Sequence, residues 1–201
     1  MFNIEQLRKR CMAPMDDFKK EGEAVECTEG FYVYKDNGAD ILAVAHLDTV
    51  QDTKHFYVVR MGGYEIVFNH ALDDRLGAYI ILDILPKLGV NCDVLLTTGE
   101  ESCNSTAQAF KTTKQYKWIF SFDRMGTDVV LYQYGGKAIE NILEGLNNVV
   151  GMGSYSDICD LSDLGCVGIN WGCGYWDNHG PKSHVILTDA EYMVNQFKAF
   201  Y

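Results

Sequence analysis

Ile41-Leu42-Ala43-Val44-Ala45-His46-Leu47-Asp48 decides how this chain folds. Five apolar residues in succession read as a β-strand, and the strand ends on a histidine with an aspartate two residues beyond it. Four more segments put acids or a histidine after an apolar or β-rich run: Asp73-Asp74-Arg75, Glu100-Glu101, Phe122-Asp123 and Asn178-His179. Cys92 to Gly99 precedes Glu100, and Trp118-Ile-Phe-Ser-Phe122 precedes Asp123. Together they supply two histidines and three carboxylates, with a spare glutamate beside one ligand and a spare aspartate beside another. That set suits two neighbouring divalent metals and a general base, gathered at strand ends.

Outward from these segments, residues 4 to 20 follow a helical period interrupted by Pro14. Phe31 to Tyr34 and Ile41 to Ala45 flank Asp36-Asn-Gly as a hairpin, and residues 55–60 and 64–68 flank Gly62-Gly63 as a second. The pattern then predicts a helix over 74–88, a strand over 92–98, a helix over 105–113, and strands over 117–122 and 129–134. Helices over 137–149 and 156–164 lead into a strand over 166–171, and Thr188 can cap a closing helix through Phe200. Strands alternating with helices imply an α/β fold, a three-layer α/β/α sandwich with a mixed central β-sheet. No repeat, linker or low-complexity segment divides it, so residues 1–201 are expected to form a single catalytic domain.

Composition narrows the function. At 201 residues with 47% hydrophobic content, the chain can fill one sizeable core. A net charge of −11 without a basic cluster argues against nucleic acid. Seven scattered cysteines, none in a Cys-x-x-Cys pair, read as reduced thiols. The start Met1-Phe-Asn-Ile-Glu-Gln has no basic then apolar leader. The most apolar helical stretch, Ala78 to Leu85, is too short to cross a bilayer and carries Asp83. The expectation is a cytoplasmic protein with no membrane partner; an oligomer is compatible with the sequence. No Gly-x-Ser-x-Gly motif occurs, and Gly135-Gly136-Lys137 lacks the spacing of a phosphate loop.

Each site residue has an ordinary reading when taken alone. His46 fits a buried histidine satisfied by a neighbour, Asp73 an N-cap, Glu100-Glu101 a solvated turn, and Asp123 a partner for Arg124. Five segments in one chain reverse that balance. Asp48 can accept the second ring N–H of His46. Adjacent glutamates point different ways and cannot both face one ion, which suits one ligand beside one base; Glu100 is assigned as the base and Glu101 as the ligand. Arg124 is a candidate for a substrate carboxylate and Asp157 for a free amine.

Ala45-His46-Leu47-Asp48-Thr49-Val50, Ala71-Leu72-Asp73-Asp74-Arg75-Leu76-Gly77, Thr98-Gly99-Glu100-Glu101 and Phe122-Asp123-Arg124 resemble successive motifs of the co-catalytic dizinc exopeptidases. That group includes zinc aminopeptidases and the tripeptidase (peptidase T), glutamyl aminopeptidase and carboxypeptidase G types. Gly174-Tyr-Trp-Asp-Asn-His179-Gly resembles the segment of their last histidine ligand, with His184 as its competitor. The resemblance implies a zinc-exopeptidase (phosphorylase/hydrolase-like) fold. It implies that Asp73 bridges two metals, His46 and Asp123 complete one site, Glu101 and His179 complete the other, and Asp74 follows a cis peptide. Zinc is the first choice, and cobalt or manganese fit the same donors. The implied activity is amide hydrolysis on a small peptide, with an N-acyl amino acid as the alternative substrate and a non-catalytic binding protein as a further alternative. Short intervals between the motifs imply that no lid or dimerisation domain is inserted.

Overall fold

A computed structural model describes residues 1–51 and 55–201. Ile41–His46 (β3) is buried at every position because it has no polar alternation, and it runs between two parallel neighbours. These are Asp93–Thr97 (β6) on one side and Trp118–Arg124 (β7) on the other. Val167–Gly172 (β10) lies parallel to β7. Four strands therefore run in one direction and end on one side of the sheet, the side where an open α/β sheet presents its ligand crevice.

Antiparallel strands extend both flanks. Glu23–Cys27 (β1) and Gly30–Lys35 (β2) form a hairpin that joins the sheet through β6. Val129–Val130 (β8) and Val150–Gly151 (β9) finish the other edge, giving the order β1-β2-β6-β3-β7-β10-β8-β9. A second sheet contains Tyr57–Met61 (β4), Tyr64–Phe68 (β5), Tyr175–Trp176 (β11) and His184–Ile186 (β12) in the order β11-β12-β5-β4.

Alternate residues of β3 serve two cores. Ile41, Ala43 and Ala45 pack with Ile4–Met12 (α1), Leu72–Tyr79 (α2) and Leu187–Phe200 (α4), through residues such as Leu7, Leu76 and Phe197. Leu42 and Val44 face the opposite layer, against Ala107, Phe110, Ile158 and Leu161. The expected α/β sandwich with a mixed central sheet is present. Among the described residues no helix is long and apolar enough to cross a membrane.

Several local expectations are corrected. Asp36-Asn-Gly connects β2 to β3 but does not close a hairpin, because β6 lies between the two strands. The turn is held instead by β6, whose Asp93 accepts from the Asn37 and Ala39 amides at 2.8 and 3.0 Å. The helix expected over 105–113 is a 3₁₀ turn, Thr106–Ala109, and that over 156–164 is also 3₁₀, ended by Gly165 at φ 68°. Along 74–88 the α-helix stops at Tyr79 and continues as a π segment and a 3₁₀ turn. The strand over 129–134 ends at Val130, since Tyr132 adopts φ 45°. The helix expected over 137–149 spans Lys137–Gly145 (α3). Thr188 is no cap, because α4 already begins at Leu187 and its N-cap is Ile186.

Asp93 has a wholly buried side chain that also accepts from Tyr34 and Tyr116 at 3.0 and 2.8 Å and pairs with Lys114. Burial opposes its charge, but Lys114, the Ala39 amide and Tyr116 outweigh that and hold its carboxyl below the ordinary value. A lowered folded pKa gives stability that is present above the unfolded pKa and lost as pH falls through the folded one. In urea unfolding, Asp93→Asn is expected to lose roughly 2–3 kcal/mol near neutrality. The gap from wild type should narrow below about pH 4.

Candidate metal centre

His46 ends β3 and is 1% exposed. Its Nε2 lies 3.2 Å from Asp73 Oδ1, 3.4 Å from Asp123 Oδ1 and 3.9 Å from Glu100 Oε2. β7 delivers Asp123, while Glu100 and Glu101 open a 3₁₀ turn three residues past β6. Asp73 stands at the start of α2 with an extended φ/ψ of −91° and 107°, and its peptide bond to Asp74 is cis. His179 follows β11 at φ 61°, with Nε2 3.1 Å from Asp73 Oδ2 and 2.9 Å from Glu101 Oε2.

Two donor sets result. His46, Asp73 and Asp123 offer ligand atoms within 4.8 Å of one another, and so do Asp73, Glu101 and His179. Asp73 belongs to both and turns one oxygen to each histidine. Ligand atoms at 2.0–2.1 Å from a tetrahedral zinc stand roughly 3.3 Å apart. The four histidine–carboxylate separations of 2.9 to 3.4 Å match that spacing. Glu101 Oε1 is buried without a hydrogen-bond partner, another sign that a cation completes the set. The residues fit two divalent ions.

The electrostatics agree. Burial, with the charges of Asp123, Asp157 and Asp73, pushes Glu100 up to about 9. Burial and Asp73 push Glu101 up to about 7. Burial disfavours a charged His46, but Asp123, Asp48 and Asp73 outweigh it and hold the imidazole well above its ordinary value. Acids packed this closely need positive charge, and bound cations would supply it.

Asp48 serves the site differently from its expected role. The acceptor nearest His46 Nδ1 is the Asp48 main-chain carbonyl at 3.0 Å, with the carboxylate 3.6 Å away. That carboxylate instead accepts from the amides of Glu100 and Glu101 at 3.3 and 3.1 Å. Asp74 is buried and accepts from the Gly77 amide at 3.0 Å. Burial and the charge of Asp123 push its carboxyl well above the ordinary value. A Cβ on Gly77 would meet Asp74 Oδ1 at 2.1 Å and the Phe122 carbonyl at 2.6 Å, so only glycine lets α2 sit this close to β7.

A cavity of about 280 Å³ opens in front of the acids, walled by Arg124, Tyr132, Gly153, Ser154, Tyr155 and Asn178. Arg124 faces it while Asp128 holds its Nε and Nη2 at 2.9 and 3.0 Å. Asp157 is 2% exposed and does not line the cavity, which corrects its candidacy for a free amine. His184 stands on β12 with Nδ1 2.8 Å from the Lys182 carbonyl and belongs to neither donor set. Asn170 on β10 escaped sequence reasoning. It accepts from the Asp123 amide at 3.1 Å and donates to Tyr132 Oη at 2.9 Å. Its only signal was a lone amide in the apolar run 166–171.

No family model matches the chain, and no curated protein matches it by sequence. Solved structures do. The Pyrococcus horikoshii TET1 peptidase shares 13% identity over 98% of each chain at a TM-score of 0.67. A Staphylococcus aureus tripeptidase shares 9% identity at a TM-score of 0.70, covering 98% of this chain and 97% of its own. Aminopeptidase PepT from Bacillus cereus shares 12% identity over 97% of each chain at a TM-score of 0.64. The chain therefore has the α/β fold of these peptidases.

Cobalt or zinc titration of chelator-treated protein tests the donor sets. The expected stoichiometry is about two ions per chain for wild type and for His184→Ala, one for His179→Ala and none for Asp73→Ala. Two tightly held ions in Asp73→Ala would refute the shared ligand.

Proposed function

We propose that this chain is a dinuclear metal-dependent hydrolase that cleaves amide bonds in small peptides, as an aminopeptidase or a di- or tripeptidase. The observation carrying this reading is Asp73, with one oxygen on each histidine and Glu100 beside the pair. Two divalent ions, zinc in first place with cobalt or manganese as fitting substitutes, would supply Lewis-acid activation of a carbonyl and of a water. His46 and Asp123 would hold one ion, Glu101 and His179 the other, with Asp73 common to both sets. Glu100 accepts the proton of the attacking water and passes it to the departing amine. Glu100 Oε2 lies 3.9 Å from His46 Nε2 and belongs to neither donor set, which supports a base rather than a ligand.

A cavity of about 280 Å³ sits at the low end of ligand sites, which favours small substrates. The three similar structures described above carry peptidase names, which favours a peptide over an N-acyl amino acid. Residues 1–201 act as one catalytic unit in this reading. Among the described residues the β4–β5 hairpin is the only regular element between β3 and α2, and core-forming elements fill the interval from Asp123 to His179. All seven cysteines are free, in keeping with a reducing compartment such as the cytoplasm.

The TET1 peptidase can assemble into a tetrahedron or an octahedral shell. Here Tyr57, Val59, Met61 and Tyr64 are exposed on β4 and β5, which supports self-association of this chain as well. Light scattering is expected to show more than one copy per particle, and a strict monomer at micromolar concentration would remove that part of the reading.

A panel of dipeptides, tripeptides and N-acyl amino acids is expected to reveal turnover of a peptide by the metal-loaded protein. Glu100→Gln should keep both ions and lose about 10²- to 10⁴-fold in kcat. Full activity in that variant would remove Glu100 as the base.

A further inference from the structure

Asp157 is a buried carboxylate that the reaction above does not use. Among the described residues no cation lies within 4 Å of it, an expensive arrangement for a group that could have been apolar. Its two oxygens are both occupied. Oδ2 accepts from the Thr97 hydroxyl and Oδ1 from the Ser105 hydroxyl. Thr97 is the last residue of β6 and stands in register with His46 of β3. Ser105 caps the turn Thr106–Ala109, its Oγ accepting from the Ala107 amide at 3.0 Å.

The seven residues between those two hydroxyls include Glu100 and Glu101. The stems of this loop are already joined: the Asn104 amide donates to the Gly99 carbonyl at 2.9 Å and the Thr106 amide to the Thr98 carbonyl at 2.8 Å. Gly99 at φ 84° allows that approach, since a Cβ there would meet the Asn104 carbonyl at 2.5 Å. Asp157 adds a clasp across the base of the loop. It also opens the segment Asp157–Leu164, separated by one residue from Gly153, Ser154 and Tyr155 on the cavity wall. One carboxylate thus joins the loop of Glu100 and Glu101 to the wall that faces it.

We propose that Asp157 is a positioning residue, clasping the Glu100–Glu101 loop so that Glu101 meets His179 and Asp73, and Glu100 meets the cavity. This rests on the dinuclear reading of the site. The clasp acts on the loop that carries Glu101, whereas His46 and Asp123 sit on central strands held by ladders on both sides. Its loss therefore falls on one donor set and spares the other.

The test is calorimetric zinc titration of chelator-treated wild type, Asp157→Asn and Asp157→Ala, with thermal unfolding alongside. In Asp157→Ala one site is expected within about 3-fold of wild type and the other weakened about 10- to 100-fold, the range for residues that orient metal ligands. Asp157→Asn, which keeps one acceptor, should fall between. In a His179→Ala background, where only the His46, Asp73 and Asp123 set remains, adding Asp157→Ala should change affinity by less than about 3-fold. If a peptide is turned over, Asp157→Asn should lower kcat more than it raises KM. Equal weakening of both sites, or none, overturns the proposal. Should Asp157→Ala not fold, Ser105→Ala removes one arm of the clasp and is read the same way. A wild-type chain that binds no metal sinks the dinuclear reading and the proposal with it. A wild-type chain that binds two ions without hydrolysing any peptide sinks only the activity, and the affinities still decide the clasp.

Discussion

Asp73 offers one carboxylate oxygen to each of two histidines that reach it from different sheets. His46 arrives at the end of β3 in the large sheet, and His179 follows β11 in the small one. A single short side chain can span both only if the sheets meet at its position. β5 leads from the small sheet into α2, and α2 packs on β3 and β7, so Asp73 stands at that junction. The shared direction of β6, β3, β7 and β10 then brings Glu101 and Asp123 to the same side. The site is a consequence of strand direction and of one residue placed where two sheets join.

That geometry has a cost. Bringing several carboxylates together under partial burial raises Glu100 and Glu101 and leaves Glu101 Oε1 without a partner. Without positive charge such a cluster would favour spreading apart. Neighbouring groups hold it in place: Asp48 takes the two amides of the glutamate pair, and Asn170 takes the amide of Asp123. These bonds run mainly to backbone, so they fix where each candidate ligand starts while leaving its carboxylate oxygens free to meet an ion.

Much of this was legible in the sequence because strands and ligands leave local marks. An unbroken apolar run reads as β3 whatever lies beside it, and His46 at its end needs no knowledge of the partner strands. Pairing leaves no local mark. Asp36-Asn-Gly has the chemistry of a tight turn, and Asp36 does accept from the Gly38 amide at 2.8 Å, yet the strands it separates have β6 between them. Asp157 shows the same limit for side chains. Its neighbours Ser154 and Tyr155 line the cavity, but Asp157 bonds to hydroxyls 60 and 52 residues away in the chain. Contacts at that separation are set by the topology, which no short window contains.

Identities of 9 to 13% with the similar structures follow from the same division. Core positions such as Leu42, Val44 and Leu95 accept other apolar residues of similar volume, so a fold survives extensive replacement. Polar residues at the cavity are few and contribute little to overall identity, yet they decide the chemistry. The shared fold therefore says least about the wall opposite the acids. There Asp128 grips Arg124 through Nε and Nη2, and Asp160 accepts from the Tyr155 hydroxyl. A wall tied down in this way is ordered before a substrate arrives, so little entropy is lost on binding. Under the proposed peptidase reading, selection among small peptides depends on the fit to Arg124, Tyr132 and Tyr155.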